Sequence, residues 1–326
     1  MFEQTVMSLM KHIHDWQHIK SIVCDNEHKL NLLNKQMTEK MNKTTFVAFS
    51  TQKGGAGKTT LTVLMASYLH YVKGINVGVI DCDFPQYSID EMRRRDFKTI
   101  EENEQFRKQA FDQFKRIKKK AYPVIMSRPR DAIDAARKLQ EMENAPEMIF
   151  FDLPGTMDNE GVLKTVASMD YIFCPAIADR VVMQSSLAFA KAINDHMITT
   201  GRTNIKGLYF VWNMVDGREK TGLYDIYDKV MAELGLSALK TFVPDSKRFR
   251  REGEKEGNRP LFRSTLFPPD KTLIRGSNVR ELAEEVLGII NGYWQWTRIP
   301  FKRLTFMTSS KASVLMLRQI CPGRKK

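Results

Sequence analysis

The chain of 326 residues contains no uninterrupted run of about eighteen apolar residues, the length that a membrane-spanning helix needs. Polar residues interrupt the N-terminal stretch MFEQTVMSLMKHIHDWQH, where a signal peptide would need a continuous apolar segment. The four cysteines lie far apart and form no CxxC pair, which argues against a zinc knuckle or an iron–sulfur ligand set. These absences favour a protein of the reducing cytosol.

Composition excludes several further classes of protein. With 42% apolar and 27% charged residues, the chain is neither globally disordered nor a collagen-like or disulfide-rich scaffold. The formal net charge is +13, and residues 291–326 contribute eight Lys and Arg without any Asp or Glu. A basic excess of this kind favours polyanionic partners, either nucleic acid or an anionic membrane surface, and does not choose between them.

Three regions follow from the pattern of apolar residues. Residues 1–43 carry apolar residues at helical spacing and predict an appended helical segment, whereas residues 293–326 form a basic tail. Between them, residues 44–292 begin with the apolar run TTFVAFS, a glycine-rich loop and a helical pattern closed by Gly74. This order predicts a strand, a loop and a helix.

The same alternation continues through the central region and predicts its fold. Further strand-length apolar runs are NVGVID, MIFFDLP, YIFCPAI, GLYFVWNMV and LKTFVPD. Helical patterns cover residues 128–142, 182–198 and 222–235, and a last helix ends at Gly292. Strands that are apolar on both faces and alternate with helices predict an α/β fold with a doubly wound, mostly parallel sheet. Residues 91–120 predict a highly charged helical insertion with solvated faces.

The loop TQKGGAGKTT, residues 51–60, lies where a phosphate-binding loop must lie, between a buried strand and a helix. Its glycines let backbone N–H groups turn towards phosphate oxygens, and the following helix adds its positive N-terminal end. Lys58 is placed to reach the β- and γ-phosphates, and the Thr59 hydroxyl to bind Mg²⁺. The GxxxxGK[ST] pattern fails at one position, because Gln52 replaces its first glycine, and Lys53 is an additional lysine inside the loop.

Other polar residues follow the remaining predicted strands. Asp81 and Asp83 come after the second strand, Asp152 ends MIFFD, and Asn213 and Pro244 follow later strands. Because the carboxyl ends of parallel strands share one edge of a sheet, we expect these residues to meet the glycine-rich loop there. The sequence therefore predicts a nucleotide site with a nearby Mg²⁺ site.

The lysine-bearing loop resembles the deviant P-loop of the ParA/MinD ATPases, and QKGG with Gln52 is the form found in ParA/Soj proteins. The resemblance covers about residues 44–290 and implies a P-loop NTPase fold. It also implies that Lys53 crosses a dimer interface to touch the nucleotide of the partner subunit. The wording STQKGGAGKTT, ASYLHYVKG and DCDFPQYSI is most similar to TraA-type ParA homologues of Bacteroidales conjugative transposons.

The resemblance also implies roles for individual residues. DCDFPQ is similar to the DxDPQ switch with Phe84 added; it implies that Asp83 orients the attacking water and that Asp81 supports it. Asp152 matches the Walker B acid that holds Mg²⁺ through water. Asn213 matches the asparagine that contacts adenine, and Pro244 with Asp245 the segment on the other side of the base. The implied nucleotide-binding residues are Gly54, Gly55, Ala56, Gly57, Lys58, Thr59, Thr60, Asn213, Pro244 and Asp245, and the implied Mg²⁺ ligands are Thr59, Asp83 and Asp152.

ParA-like proteins are ATP-driven switches, and the resemblance implies that function here. Mg-ATP would close a homodimer that binds DNA without sequence preference on the nucleoid, and slow hydrolysis, stimulated by a ParB-like or conjugation-apparatus activator, would release it. The chain would act in DNA partition or in conjugative transfer. The candidate DNA contacts are Lys247, Arg248, Arg250 and Arg251, with Arg218, Lys220 and Arg275 behind them.

Other functions within the same superfamily stay open or are excluded. A MinD-like membrane-positioning ATPase is the alternative, because residues 310–320 of the tail form a basic amphipathic stretch. An iron protein of the nitrogenase reductase type lacks its paired cluster cysteines. A tyrosine kinase of this superfamily would need a tyrosine-rich tail, and Tyr293 is the only tyrosine after residue 227.

Overall fold

Seven strands form one parallel sheet in the computed structural model, which describes residues 44–155, 160–218, 222–251 and 260–292. The strand order is β3-β2-β4-β1-β5-β6-β7, with every neighbouring pair parallel. The strands are β1 (Thr45–Phe49), β2 (Val77–Asp81), β3 (Val124–Met126), β4 (Met148–Asp152), β5 (Tyr171–Ala176), β6 (Gly207–Trp212) and β7 (Ser237–Ala238). Strands β2, β4 and β5 are buried along their whole length, as both-sided coverage requires.

Helices cover both faces of this sheet. The described helices are α1 (Lys58–Tyr71), α2 (Ser88–Glu102), α3 (Glu104–Ile117), α4 (Ala132–Gln140), α5 (Glu160–Ala167), α6 (Arg180–Ile193), α7 (Leu223–Glu233) and α8 (Val279–Asn291). Short 3₁₀ turns occupy Pro129–Asp131 and Lys247–Arg250, and a π-turn, Asn194–Ile198, extends α6. Gly292, in a left-handed conformation, ends α8 as the sequence predicts.

Two apolar cores lie on opposite faces of the sheet. One contains Leu139 of α4, Val162 of α5 and Met183 of α6 against β4 and β5. The other contains Leu61 of α1 and Leu282 of α8 against the other face of β1 and β4. This arrangement confirms the predicted doubly wound P-loop NTPase fold. Within the described ranges, no helix has the length and apolar composition to cross a bilayer.

The predicted strand at LKTFVPD is wrong in its position, because β7 comprises only Ser237–Ala238. The backbone N–H groups of Lys240 and Thr241 donate to the carboxylate of Glu285 in α8, at 2.8 Å each. Those donors are therefore lost to the sheet, although Val243 N still donates to Trp212 O at 2.8 Å. The sequence also gives no prediction for β3 or α5, which are short.

The charged insertion predicted at residues 91–120 consists of two helices, α2 and α3, and its solvated faces are only part of its surface. Asn103 separates them and caps α3, since its side-chain oxygen accepts from Gln105 N and Phe106 N. On the inner face, Phe106 packs with Phe267 in a third apolar cluster. The predicted helical segment 1–43 and the basic tail 293–326 lie outside the described residues.

Candidate functional site

The loops that follow β1, β2, β4 and β6 meet at the carboxyl edge of the sheet, where open α/β sheets bind ligands. Asp81 and Asp152 are register partners at the ends of β2 and β4. The hydroxyl of Thr59 reaches Asp152 from the start of α1. The structure thus brings the glycine-rich loop and the strand-end carboxylates together.

The loop between β1 and α1 has the backbone of a phosphate cradle. Gly55 and Gly57 have φ angles of 79° and 93°, a region that favours glycine. A Cβ on Gly54 or Gly55 would meet nothing within 4 Å, so this part of the loop faces open space. No side chain caps the N-terminus of α1, whose N–H groups are therefore available to an anion.

Lys58 lies half-buried beneath this loop. Its Nζ donates to Lys53 O at 3.3 Å, and a Cβ on Gly155 would come within 3.3 Å of the same Nζ. The chain that leaves β4 therefore passes directly against the lysine. Burial lowers the pKa of Lys58, while the carboxylates of Asp152 and Asp83 act in the opposite direction.

The environment of Asp152 fits a carboxylate that binds a cation. Thr59 Oγ1 donates to Asp152 Oδ2 at 2.8 Å, and Asp152 Oδ1 is buried with no hydrogen-bond partner among the described residues. Desolvation raises the pKa of Asp152 to about 7, although the Thr59 bond acts to lower it. An orphaned buried oxygen beside a hydroxyl fits Mg²⁺, which binds oxygen ligands. Among the described residues, no group of three His, Cys, Asp or Glu is placed to hold a metal ion by itself, so phosphate and water oxygens would complete the coordination.

Asp81 and Asp83 lie in different environments. Asp81 is fully buried, and its Oδ2 accepts from the N–H groups of Ile89 and Asp90 at 2.9 and 3.0 Å, which fixes the start of α2. Its Oδ1 accepts from Asp83 N at 3.3 Å. Asp83 is only half-buried; desolvation raises its pKa and the nearby Lys58 lowers it. Asp83 is thus the more exposed of the two acids, and Asp81 holds its backbone.

Asn213 lies against the glycine-rich loop and makes a bond to its backbone that the sequence did not show. Its Nδ2 donates to Ala56 O at 2.7 Å, and a Cβ on Gly57 would lie only 2.4 Å from that nitrogen. The asparagine therefore braces the glycine-rich loop directly and leaves its Oδ1 for a ligand. Because Ala56 O is an acceptor, it fixes which end of the amide faces the loop.

Backbone bonds bring Pro244 and Asp245 beside the residues that follow Asn213. Val215 N donates to Val243 O at 3.0 Å, and Asp245 N donates to Val215 O at 2.9 Å. These bonds extend the pairing of β6 beyond Asn213 and place Pro244 across from Val215. The predicted base-binding residues therefore lie on two chain segments that pair with each other.

The predicted basic residues separate into two groups. Arg248 donates through Nη1 to Leu273 O at 2.7 Å and Arg275 O at 2.5 Å, so its guanidinium ties two loops together. Arg218 forms a two-point contact with Asp216 at 3.0 and 2.8 Å. Lys247, Arg250 and Arg251 are exposed. Lys220 lies outside the described residues.

The environment of Asp152 predicts a pH-dependent stability for the nucleotide-free protein. A folded pKa of about 7 exceeds the ordinary aspartate pKa of 3.8, so the folded state binds this proton more tightly and loses stability as pH rises between those values. Three pKa units correspond to roughly 4 kcal/mol. We expect Asp152→Asn to remove most of the part of this loss that falls between pH 5 and pH 7, measured by urea unfolding without Mg²⁺. Equal pH dependence in both proteins would contradict the assignment.

Comparisons with known proteins agree with this geometry. A family model described as the CobQ/CobB/MinD/ParA nucleotide binding domain matches residues 47–258. No curated protein sequence matches the chain.

Three solved structures illustrate the likeness. A plasmid partition protein of Borrelia burgdorferi bound to AMPPNP has 17% identity and a TM-score of 0.49, with 77% of this chain and 100% of that chain covered. The MinC:MinD cell division complex of Aquifex aeolicus has 12% identity and a TM-score of 0.49, with 79% and 99% covered. Cobyrinic acid a,c-diamide synthase of Mycobacterium smegmatis, with ADP and magnesium, has 16% identity and a TM-score of 0.45, with 77% and 97% covered.

Proposed function

The chain belongs to the CobQ/CobB/MinD/ParA family of nucleotide-binding domains, and we propose that it is a ParA-like ATPase switch. In this proposal the protein binds Mg-ATP, closes a homodimer, binds DNA without sequence preference and hydrolyses ATP slowly. The single observation that carries the ATPase is the bond from Thr59 to Asp152 beneath a glycine loop, beside an orphaned carboxylate oxygen.

The residues of the site divide the chemistry among them. The glycine-loop N–H groups and Lys58 bind the phosphates, while Thr59 and Asp152 hold the cation. Bound Mg-ATP would supply the γ-phosphate, whose phosphorus water attacks. Asp83, half-buried and held through its backbone by Asp81, orients that water. Lys53 is exposed on the loop, which supports its proposed role as the cation that reaches a second subunit. Asn213 Oδ1 accepts from the base.

Slow turnover follows from what these residues can stabilise. Phosphoryl transfer needs cations around the transferred group, and arginine fingers increase the rate by several orders of magnitude. In the proposed site, Lys58 and Lys53 are the cations, and neither has the two-point geometry of a guanidinium. A partner protein that completes the site would then act as the activator, in the manner of a ParB-like or conjugation-apparatus protein.

ATP-gated DNA binding is the property that tests the switch. We expect the full chain to bind a random-sequence duplex with Mg²⁺ and a non-hydrolysable ATP analogue, and to bind at least tenfold more weakly without nucleotide or with ADP. The affinity should fall steeply with salt, at a slope near −0.9 per phosphate contact. Fluorescence anisotropy measures both. Lys58→Ala should abolish the gating; equal affinity in all three nucleotide states would refute the proposal.

Variants within the basic segment separate DNA contact from structure. Arg250→Ala and Arg251→Ala should each reduce affinity and the salt slope, because both side chains are exposed. Arg248→Ala should instead lower thermal stability, because its guanidinium bonds to Leu273 O and Arg275 O. Lys229→Ala on α7, away from this segment, is the control.

The cellular role that we propose is DNA partition or conjugative transfer of a mobile element, in a protein of the nucleoid. This role is supported by the resemblance of three sequence segments to TraA-type ParA homologues. The alternative is a MinD-like protein that binds membranes through the tail. Flotation with anionic vesicles distinguishes them: ATP-dependent flotation that is lost when residues 293–326 are removed would favour the membrane.

A further inference from the structure

A groove runs along the edge of the sheet, on the outer side of β3. It has a volume of about 790 Å³, and its lining includes Tyr87, Ile125, Met126, Arg128, Lys138 and Met142. Three large apolar side chains of its lining are substantially exposed: Ile125 (37%), Met126 (44%) and Met142 (53%). Exposed apolar side chains concentrated in one place, with polar neighbours, mark an interaction surface.

The backbone of β3 offers hydrogen bonds to this groove. Val79 N donates to Pro123 O, and Ser127 N donates to Asp81 O, both at 2.9 Å. Because alternate residues of a strand face opposite neighbours, the peptide groups of Val124 and Met126 point away from β2, out of the sheet. An open edge of this kind can accept an extended peptide as an additional strand.

The charge of the groove indicates the kind of partner that it binds. Among the described residues, Arg128 and Lys138 form no ion pair, whereas the acids of the lining are each paired: Asp131 with Arg130 at 3.4 Å and Asp134 with Arg137 at 3.0 Å. The uncompensated charge is therefore positive. The chain's own ends do not complement it, because residues 293–326 carry no acid and residues 1–43 carry six lysines against five carboxylates. An acidic segment of another protein fits better.

The groove also touches the segments around the proposed nucleotide site. The Arg128 guanidinium lies 5.4 Å from the ring centre of Phe84, which directly follows Asp83. A smaller cavity of about 300 Å³ is lined by Phe84 and Pro129 together with Arg128 and Arg130, which also line the groove. On the other side, Thr165 Oγ1 of α5 donates to Pro129 O at 2.6 Å, and α5 follows the segment after Asp152.

We propose that an extended, acidic peptide with alternating apolar residues, supplied by a partner protein, docks along the β3 edge in this groove and, through Arg128 and Phe84, alters the position of Asp83. Backbone bonds to β3 would give affinity, the apolar side chains would contact Ile125 and Met142, and the carboxylates would pair with Arg128 and Lys138. The effect on Asp83 rests on the proposed ATPase; the docking does not.

Selection from a phage library of random dodecapeptides, on the nucleotide-free full chain, tests the docking. We expect the enriched peptides to alternate apolar residues with Asp or Glu. As synthetic peptides, they should lose at least tenfold in affinity for the Arg128→Glu/Lys138→Glu double variant and keep their affinity for Lys229→Glu. No enriched peptide, enrichment without acidic alternation, or equal binding to the double variant would overturn the proposal. A single-stranded 20-mer oligonucleotide that alone shows this dependence would make the groove a nucleic-acid site instead.

ATP turnover tests the second part of the proposal, the effect of the docked peptide on Asp83. A docked peptide should change the turnover of the wild-type chain at least threefold and leave that of Arg128→Ala unchanged. Unchanged wild-type turnover with a docked peptide would overturn the link to Asp83. A wild-type chain without any ATPase activity would count against the proposed function, while the nucleotide-free binding would still decide the docking.

Discussion

Asp83→Ala should bind ATP normally and lose at least two orders of magnitude in turnover. The carboxylate is half-buried beside Lys58, and Asp152 already supplies the buried acid that bonds to Thr59. In the proposed mechanism, removal of Asp83 therefore leaves the phosphate cradle and Asp152 in place and removes the group that orients water. Calorimetric titration with ATP and single-turnover phosphate release, measured on the same preparation, separate the two effects.

Asp81→Ala is the matched comparison, because it removes the neighbouring carboxylate two residues away. Its oxygens accept from Asp83 N, Ile89 N and Asp90 N, so its loss leaves buried donors at the start of α2 without their acceptor. This variant should lower the melting temperature, which Asp83→Ala should leave nearly unchanged. If Asp83→Ala releases phosphate at the wild-type rate, the water-orienting role belongs to another residue.

Local patterns in the sequence predict much of the fold. Two apolar runs end in Asp81 and Asp152, and a group of glycines precedes Lys58. Each of these signals lies within a few residues of the element that it predicts, so strand, loop and helix can be read from the local sequence. Because parallel strands end at one edge, the meeting of these residues could also be predicted. Strand β3 could not, since three residues are too few to show a period.

Contacts between distant segments explain what the sequence did not show. Asn213 braces Ala56 across 157 positions, and Arg248 bonds to carbonyl groups 25 and 27 positions away. Nothing in the neighbouring sequence distinguishes Arg248 from Arg250, although only Arg250 is exposed. Glu285 diverts the backbone at Lys240 in the same way, from a helix that lies 45 positions later. Such roles depend on which carbonyl or amide groups the fold leaves within reach.

Lys53→Gln should abolish dimerisation while each subunit still binds ATP within a few-fold of normal. In the proposed mechanism Lys58, half-buried below the loop, holds the nucleotide of its own subunit. Lys53 is exposed, and only its carbonyl oxygen takes part in the contact with Lys58. In a face-to-face dimer, two sets of phosphate charges oppose one another, and a lysine from each side offsets them. Loss of a desolvated contact of this kind costs about 2–5 kcal/mol.

Sedimentation of the variant with Mg²⁺ and a non-hydrolysable ATP analogue measures this effect, with Lys53→Arg as the charge-preserving control and Lys229→Gln as the control for surface charge. Lys53→Gln should sediment as a monomer under conditions in which both controls form dimers. ATP-gated DNA binding should disappear with the dimer, because each monomer presents only half of the basic surface and about half of the phosphate contacts. A persistent dimer would mean that Lys53 does not act across an interface, and the ParA-type mechanism would fail even though the fold stands.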